Sequence, residues 1–410
     1  LTKGVQISAR KFASAVILVS FSFAWLFMFF NRFPEIFQHY IPDIGTRYNG
    51  YFLFLGVAAL SAIVGSVISE RTNRRRFLVS WIIVGLISNI SVIFTQELGL
   101  LYFYLISAIL GISIGLGFPS CLAFLADCTT VGERARVTGI AIFATLVLAM
   151  LSFIVAMTFE IQYGIELVFL LSALKGTSLL AFVSGDCERR KSERIRPWKN
   201  IFVSEDFVLY LFPWLMFSLA GSINNLMFAV LFEQVEYINI ETIADVLHYL
   251  TWAVVGFISG IMADRIGRKQ PLIVGLTSLG VSYAIFGLFT SPETFILYQV
   301  LSGVAWGFLF TVYITLLGDL ASYGSKEKFY AMGAIMPIIL TLSFNTLIGL
   351  FNITAPISVL SPVFSIVLFL SVFPVLRATE TLPRKKIRER QMKDHIEKVG
   401  KILEDHKKHE

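Results

Sequence analysis

Apolar residues along this chain come in blocks of about 20, the length that carries a helix across ~30 Å of hydrocarbon at 1.5 Å per residue. Polar residues inside the blocks do not alternate with period two, so spanning strands are excluded and each block is predicted to be a helix. Six blocks lie near 11–31, 49–69, 76–95, 98–126, 136–159 and 163–184, and six more near 207–231, 243–262, 270–289, 294–318, 329–350 and 354–376. The expected fold is an all-α membrane protein with twelve transmembrane helices in two six-helix bundles. The fourth block is long, and Gly115, Gly117 and Pro119 predict a tilt or a break within it.

Composition sharpens this picture. Of 410 residues, 56% are hydrophobic and 15% charged, whereas a soluble domain is nearer half apolar and a quarter charged. Of 34 Lys and Arg residues, only Arg32 and Arg47 fall in loops on one side, and Lys175 falls inside a helix. All the others share the opposite face, which the positive-inside rule places in the cytoplasm together with both termini. The net charge of +6 is thus mostly topological, with contact to anionic lipid as a consequence. No basic segment accompanies a nucleic-acid reading module, so no nucleic-acid partner is expected. The first apolar block is too long for a cleaved leader. Cys121, Cys128 and Cys187 lie in or near cytoplasmic positions and are odd in number, so neither a disulfide nor a metal site is expected.

The chain repeats itself. "SERTNRRR" (Ser69–Arg76) aligns with "ADRIGRKQ" (Ala263–Gln270), matching Glu70 to Asp264, Arg71 to Arg265, Arg74 to Arg268 and Arg75 to Lys269, with Asn73 in the place of Gly267. "GERARVTG" aligns at the same spacing with "KEKFYAMG", matching Glu133 to Glu327, Arg134 to Lys328 and Gly139 to Gly333. Between them Gly111, Gly115 and Asp127 match Gly303, Gly307 and Asp319 after a two-residue slip. Agreement at three separated places predicts an N-terminal bundle over 1–184 and a C-terminal bundle over 207–376. The polar, mostly basic stretch 185–206 reads as the cytoplasmic linker between them. In the charged tail, 377–410, Ile387, Met392, Ile396, Val399 and Leu403 recur at roughly helical spacing, which predicts a helix on the membrane surface or one docked on a partner.

These residues carry a family likeness. "GIMADRIGRK" resembles the loop signature of the major facilitator superfamily, G-x-x-x-D-R-x-G-R-K, with Gly260, Asp264, Arg265, Gly267, Arg268 and Lys269 in place. "SVISERTNRRR" looks like a degenerate first-half copy, "GERARVTG" resembles the family's E-R-x-R-x-x-G start of the fifth helix, and "ATETLPRK" is similar to its closing E-T-x-P segment. In many members the better-kept loop copy is in the first half; here it is in the second. The resemblance covers residues 1–376 and implies a secondary transporter whose site, between the halves near mid-membrane, is exposed to each side in turn.

The charged loop has its own physics. Gly260 permits close helix approach, and Gly267 permits positive φ in a tight turn. Asp264 sits at the negative end of a helix dipole and needs a cation or the amino end of another helix. Arg265 and Arg268 offer the first, and the start of the fifth helix, with Glu133 and Arg134, offers the second. By the repeat, Glu70 and Arg71 should face Glu327 and Lys328. These are expected to be two conformational latches that hold the cytoplasmic side shut. The Arg74–Arg76 run is expected to be solvated, obeying the positive-inside rule alone.

Intramembrane polar residues are the candidates for binding a small-molecule substrate. Lys175, about nine residues from the end of the sixth helix, is read first as a structural or lipid-headgroup contact and second as a substrate residue. Asn224 and Asn225 follow Gly221 in the seventh helix, where they either bind a polar ligand or cross-link helices; both readings stay open. Gln299, Trp306 and Tyr313 in the tenth helix and Asn345 in the eleventh are expected to line the cavity. His248 reads as a packing histidine, and Arg32 with Glu35 as an interfacial pair at the outer side. No Asp or Glu lies mid-helix in the first, fourth, seventh or tenth segments, which disfavours proton coupling through them. Facilitated diffusion, or coupling through His248, Glu35 or Lys175, stays open.

The expectation is a monomeric transporter of a small organic solute in the lipid bilayer, without cofactor or metal. The alternative is a transport-inactive subunit that scaffolds partner proteins. An enzyme is disfavoured, because no P-loop and no nucleophile–base or metal-ligand cluster can be assembled from five scattered histidines.

Overall fold

The computed structural model describes residues 7–41, 43–96, 99–161, 165–184, 198, 201, 203–231, 235–289, 291–321, 326–351, 356–383 and 392. At 33–40, 44, 48, 95–96, 184, 223–231, 235–239 and 346–351 it describes the backbone alone. The described chain is helical nearly throughout. In the first part, α1 is Ala9–Tyr40, α2 Ile44–Arg71, α3 Arg74–Ser91, α4 Gly99–Gly115, α5 Phe118–Cys128, α6 Arg134–Thr158, α7 Ile165–Thr177 and α8 Ala181–Ser184. In the second part, α9 is Glu205–Leu231, α10 Val235–Ile266, α11 Lys269–Leu288, α12 Pro292–Leu320, α13 Lys326–Phe351, α14 Ile357–Leu370 and α15 Val372–Arg377. Among the described residues, eleven stretches are long and apolar enough to cross a membrane. The 27-residue α9, part of it described by backbone alone, is a further long helix.

The predicted fourth block is broken between α4 and α5, with Pro119 in the first turn of α5. A Cβ on Gly117 would run into the Trp81 ring, so the break brings backbone and indole into direct contact. The largest departure from the hydropathy reading is length. α1 continues to Tyr40 and α10 begins at Val235, because a helix outlasts the apolar block that marks only its lipid-facing part.

Matched glycines do matched work. Side chains at Gly111 and Gly115 would collide with the backbone of Phe54 and Ala58, so α2 and α4 meet backbone to backbone. At Gly303 and Gly307 they would collide with the backbone of His248 and Gly256, and α10 meets α12 in the same way. Helices before and after the 185–204 stretch pack chiefly among themselves. The two groups touch along α6 with α10 and along α2 and α5 with α13.

One expectation narrows and another fails in the cores. Of the two contacts read first for Lys175, it makes the structural one and does not approach lipid. It is fully buried among Trp25, Trp81 and Gly85, with its Nζ 3.2 Å from the Trp81 ring centroid and 4.2 Å from that of Trp25. Helix rotation, which hydropathy does not report, turns it inward. Cys128 is disulfide-bonded, whereas Cys121 is free and buried. Cysteine spacing does not show which thiols the packing brings together.

Candidate functional site

The charged residues of the repeat gather at one face of the molecule, where the two groups of helices meet. Asp264, in the last turn of α10, accepts hydrogen bonds from the amides of Ala135 (3.3 Å) and Arg136 (2.9 Å), at the amino end of α6. That places the carboxylate on the positive end of a helix dipole. Small residues make the approach feasible, because a side chain at Gly260 would collide with Ala135 and one at Gly139 with Gly256. Gly267 turns the chain at φ +107°, which an L side chain adopts only with strain.

Arg268, fully buried, ties this contact together. Its guanidinium donates to Asp264 (2.8 Å), to Asp319 (3.0 Å), and to the carbonyls of Ala263 (2.6 Å) and Val131 (2.6 Å). Arg134, on α6, pairs with the other oxygen of Asp319 and donates to the Ala126 carbonyl at 3.0 Å. Burial alone lowers the pKa of Arg268, but Asp319 and Asp264 outweigh it and raise it above that of free arginine. Glu380 closes the assembly by accepting from the amides of Arg268 (2.8 Å) and Lys269 (3.1 Å) at the start of α11.

The repeat builds a second network beside α13. Arg74 donates to Glu327 from Nε (3.1 Å) and Nη2 (2.6 Å), and also pairs with Asp127. Lys326 pairs with the other Asp127 oxygen, and Lys328 meets Glu70 at 3.0 Å. Arg74 therefore mirrors Arg268, and Asp127 mirrors Asp319. The expectation that Arg74 is solvated is corrected, since it is 8% exposed while Arg75 and Arg76 beside it are exposed. Nor do all the proposed latch residues join. Arg265 and Arg71 are exposed at their helix ends, outside both networks. Glu133 is buried, and among its contacts are those to the amide and hydroxyl of Thr130, from which it accepts. Sequence reasoning assigned no role to Asp127, Asp319, Lys326 or Glu380, and the signal that marks the first two was the repeat itself.

Toward mid-membrane the contact between the groups is aromatic. Trp252 of α10 packs on Trp306 (4.8 Å between centroids) and Phe310 (5.5 Å) of α12, and on Phe27 (5.3 Å) of α1. Phe23 of α1 reaches Phe310 at 6.4 Å. Tyr313 packs against Trp214 at 4.5 Å between centroids with the rings tilted by 53°, and the two line a small pocket with Phe207, Tyr210 and neighbouring leucines. The Tyr313 hydroxyl and the Trp252 N–H are buried without a hydrogen-bond partner. Gln299 donates to Asp245 at 2.9 Å, and His248 bonds the Gln299 carbonyl at 3.2 Å. Asn345 is half-buried on α13. Lys175 is away from this wall, inside the first group of helices. The side chains of Asn224, Asn225 and Glu35 lie outside the described residues.

A model of the Major Facilitator Superfamily matches residues 12–321. The chain belongs to that superfamily. Within it, a segment of 83 residues is 34% identical to Multidrug resistance protein 2 of Bacillus subtilis (strain 168), and that segment spans 20% of each chain. The solved proton:xylose symporter XylE, bound to 6-bromo-6-deoxy-D-glucose, superposes with a TM-score of 0.72 at 12% identity, over 90% of this chain and 96% of the symporter. The human organic anion transporter MFSD10 gives 0.70 at 13% identity, over 89% and 99%. Both structures establish the fold. Superfamily members are membrane transporters rather than enzymes, and this chain is accordingly a multi-pass membrane protein.

Proposed function

We propose that this protein carries a small organic solute across the cell membrane by alternating access. Twelve spans form two pseudo-symmetric bundles, 1–184 and 207–376, joined by a cytoplasmic linker and rocking as rigid bodies about a central site. Both termini are cytoplasmic, and the charged 377–410 tail lies outside the bundles. The observation that carries the reading is the paired charge network, with its Asp264–Arg268–Asp319–Arg134 chain on one side and its Arg74–Asp127–Glu327 cluster on the other. Each bridges the halves at the cytoplasmic face, where opening toward the cytoplasm must break it. The conformation described is therefore read as closed on that side. The wall formed by Trp252, Trp306 and Tyr313 is the substrate side of the cycle, with Gln299, Asn224, Asn225 and Asn345 as further contacts. A monomer suffices, because both halves lie in one chain.

Asp264→Asn tests the reading. The amide oxygen of asparagine still accepts one helix amide, but its charge partnership with Arg268 is gone. The ratio of inward-open to outward-open protein, read by cysteine labelling at the cytoplasmic face in vesicles, should rise at least tenfold. An unchanged ratio sinks the latch.

A further inference from the structure

One stripe of α10 is chemically unlike the rest of the interior. Asp245, His248, Tyr249 and Trp252 recur at helical spacing and so share a face. Asp245 is half-buried near the outer end of its span, and its carboxylate accepts from the neutral amide of Gln299. Glu241, one turn earlier, adds a second negative charge in its field. Among the described residues, no lysine or arginine forms an ion pair with either carboxylate.

Asp127, Asp264 and Asp319 of the charge network each have a guanidinium or ammonium partner, whereas half-buried Asp245 has only the neutral Gln299 amide and so leaves room for a cation from elsewhere. One turn inward, Tyr249 and Trp252 stack at 6.2 Å with a 21° tilt. Below them Trp252 meets Phe27 and Trp306. Its N–H, on a residue 3% exposed, has no partner.

We propose that this stripe is a recognition site for an aryl-bearing organic cation, which names the substrate class and rests on the transporter reading. The carboxylates at the outer end supply the counter-charge. Ring faces attract a delocalised cation through their quadrupoles, a gain that grows in a desolvated site. The Trp252 N–H donates to the π face of an aryl group on the ligand. An organic anion of the same shape meets two like charges, and a polyhydroxyl solute meets rings where it needs paired donors and acceptors.

Tetraphenylphosphonium and tetraphenylborate are matched in size and shape and opposite in charge, so they isolate the charge term. Binding of each to the full chain in nanodiscs is measured by equilibrium dialysis and by quenching of tryptophan fluorescence, with empty nanodiscs subtracted. The phosphonium should bind saturably and the borate should not. Asp245→Asn and Trp252→Leu should each weaken the phosphonium by about tenfold or more, and Glu241→Gln by about threefold. Equal binding of the two ions, no saturable binding, or an unchanged affinity in Asp245→Asn overturns the proposal. Where Asp245→Asn fails to fold by thermal unfolding, Glu241→Gln and Trp252→Leu decide in its place. The Asp264→Asn measurement uses no ligand, so a failure here with the latch intact removes the cation site alone. A failure of the latch with selective phosphonium binding removes the alternating-access reading alone.

Discussion

Replacing Arg268 by glutamine removes the one side chain that contacts both halves and both acidic residues of the principal network. Four side-chain hydrogen bonds are lost: to Asp264, to Asp319, and to the Ala263 and Val131 carbonyls. The Val131 bond crosses from the C-terminal to the N-terminal half. Asp264 keeps the Ala135 and Arg136 amides and Asp319 keeps Arg134, so neither carboxylate is stranded outright. Asp264 nevertheless loses its neutralising charge, and Asp319 one of its two cationic partners, in a setting where Arg268 has no exposure at all. Breaking a buried pair by removing one partner costs about 3–5 kcal/mol. In the proposed cycle, opening toward the cytoplasm brings the same groups into water, where the loss is far smaller. Taking the lower bound, the closed-to-open ratio falls by a factor of roughly 150.

Pulsed electron resonance reads this directly. Spin labels go on Arg76 and Gln270, both exposed at the charged face and one in each half. Wild-type protein should give a short, narrow distance distribution, and Arg268→Gln a longer and broader one. Arg265→Gln is the internal control, because Arg265 is exposed and outside the network. A shift as large for Arg265→Gln as for Arg268→Gln would refute the assignment of the latch to buried charge. So would an unchanged distribution for Arg268→Gln.

Two further outcomes follow from other parts of the fold. Lys175→Met should leave thermal stability equal or higher by about 1–2 kcal/mol, since a buried amine without a hydrogen-bond partner is replaced by an apolar chain of similar volume; a fall in Tm by fluorescence unfolding would show that the ring contacts of Lys175 outweigh its burial. Gly260→Val should force α6 and α10 apart and mimic Arg268→Gln in the distance assay, because its side chain would overlap the Ala135 carbonyl; a wild-type distance would mean that the close approach is not needed for closure.

What the chain discloses about itself divides along physical lines. Spans are legible because lipid imposes one requirement on every residue in a block, and a sum over 20 positions is robust. Helix ends are not, since the helix of α1 continues through "NRFPEIFQHY", where Asn31, Arg32, Glu35, Gln38 and His39 interrupt the apolar block. Glycine contacts are legible when two copies agree, and Gly111, Gly115, Gly303 and Gly307 serve backbone contact in both halves. Ion pairs are the hard case. Arg74 and Arg75 are neighbours of the same chemistry, yet one is 8% exposed and bound to two carboxylates while the other is exposed. Only the rotation of α3 against α5 and α13 separates them. The repeat, however, contained the answer. Arg74 stands where Arg268 stands, Asp127 where Asp319 stands, and a residue whose duplicate carries a charge network is itself a candidate whatever its local surroundings suggest. A charged run in a duplicated membrane protein is therefore better read against its second copy than against its neighbours. Asp245 lies in the second half outside every pair matched by the repeat, so the proposed cation site, unlike the latch, draws on a residue that the halves do not share.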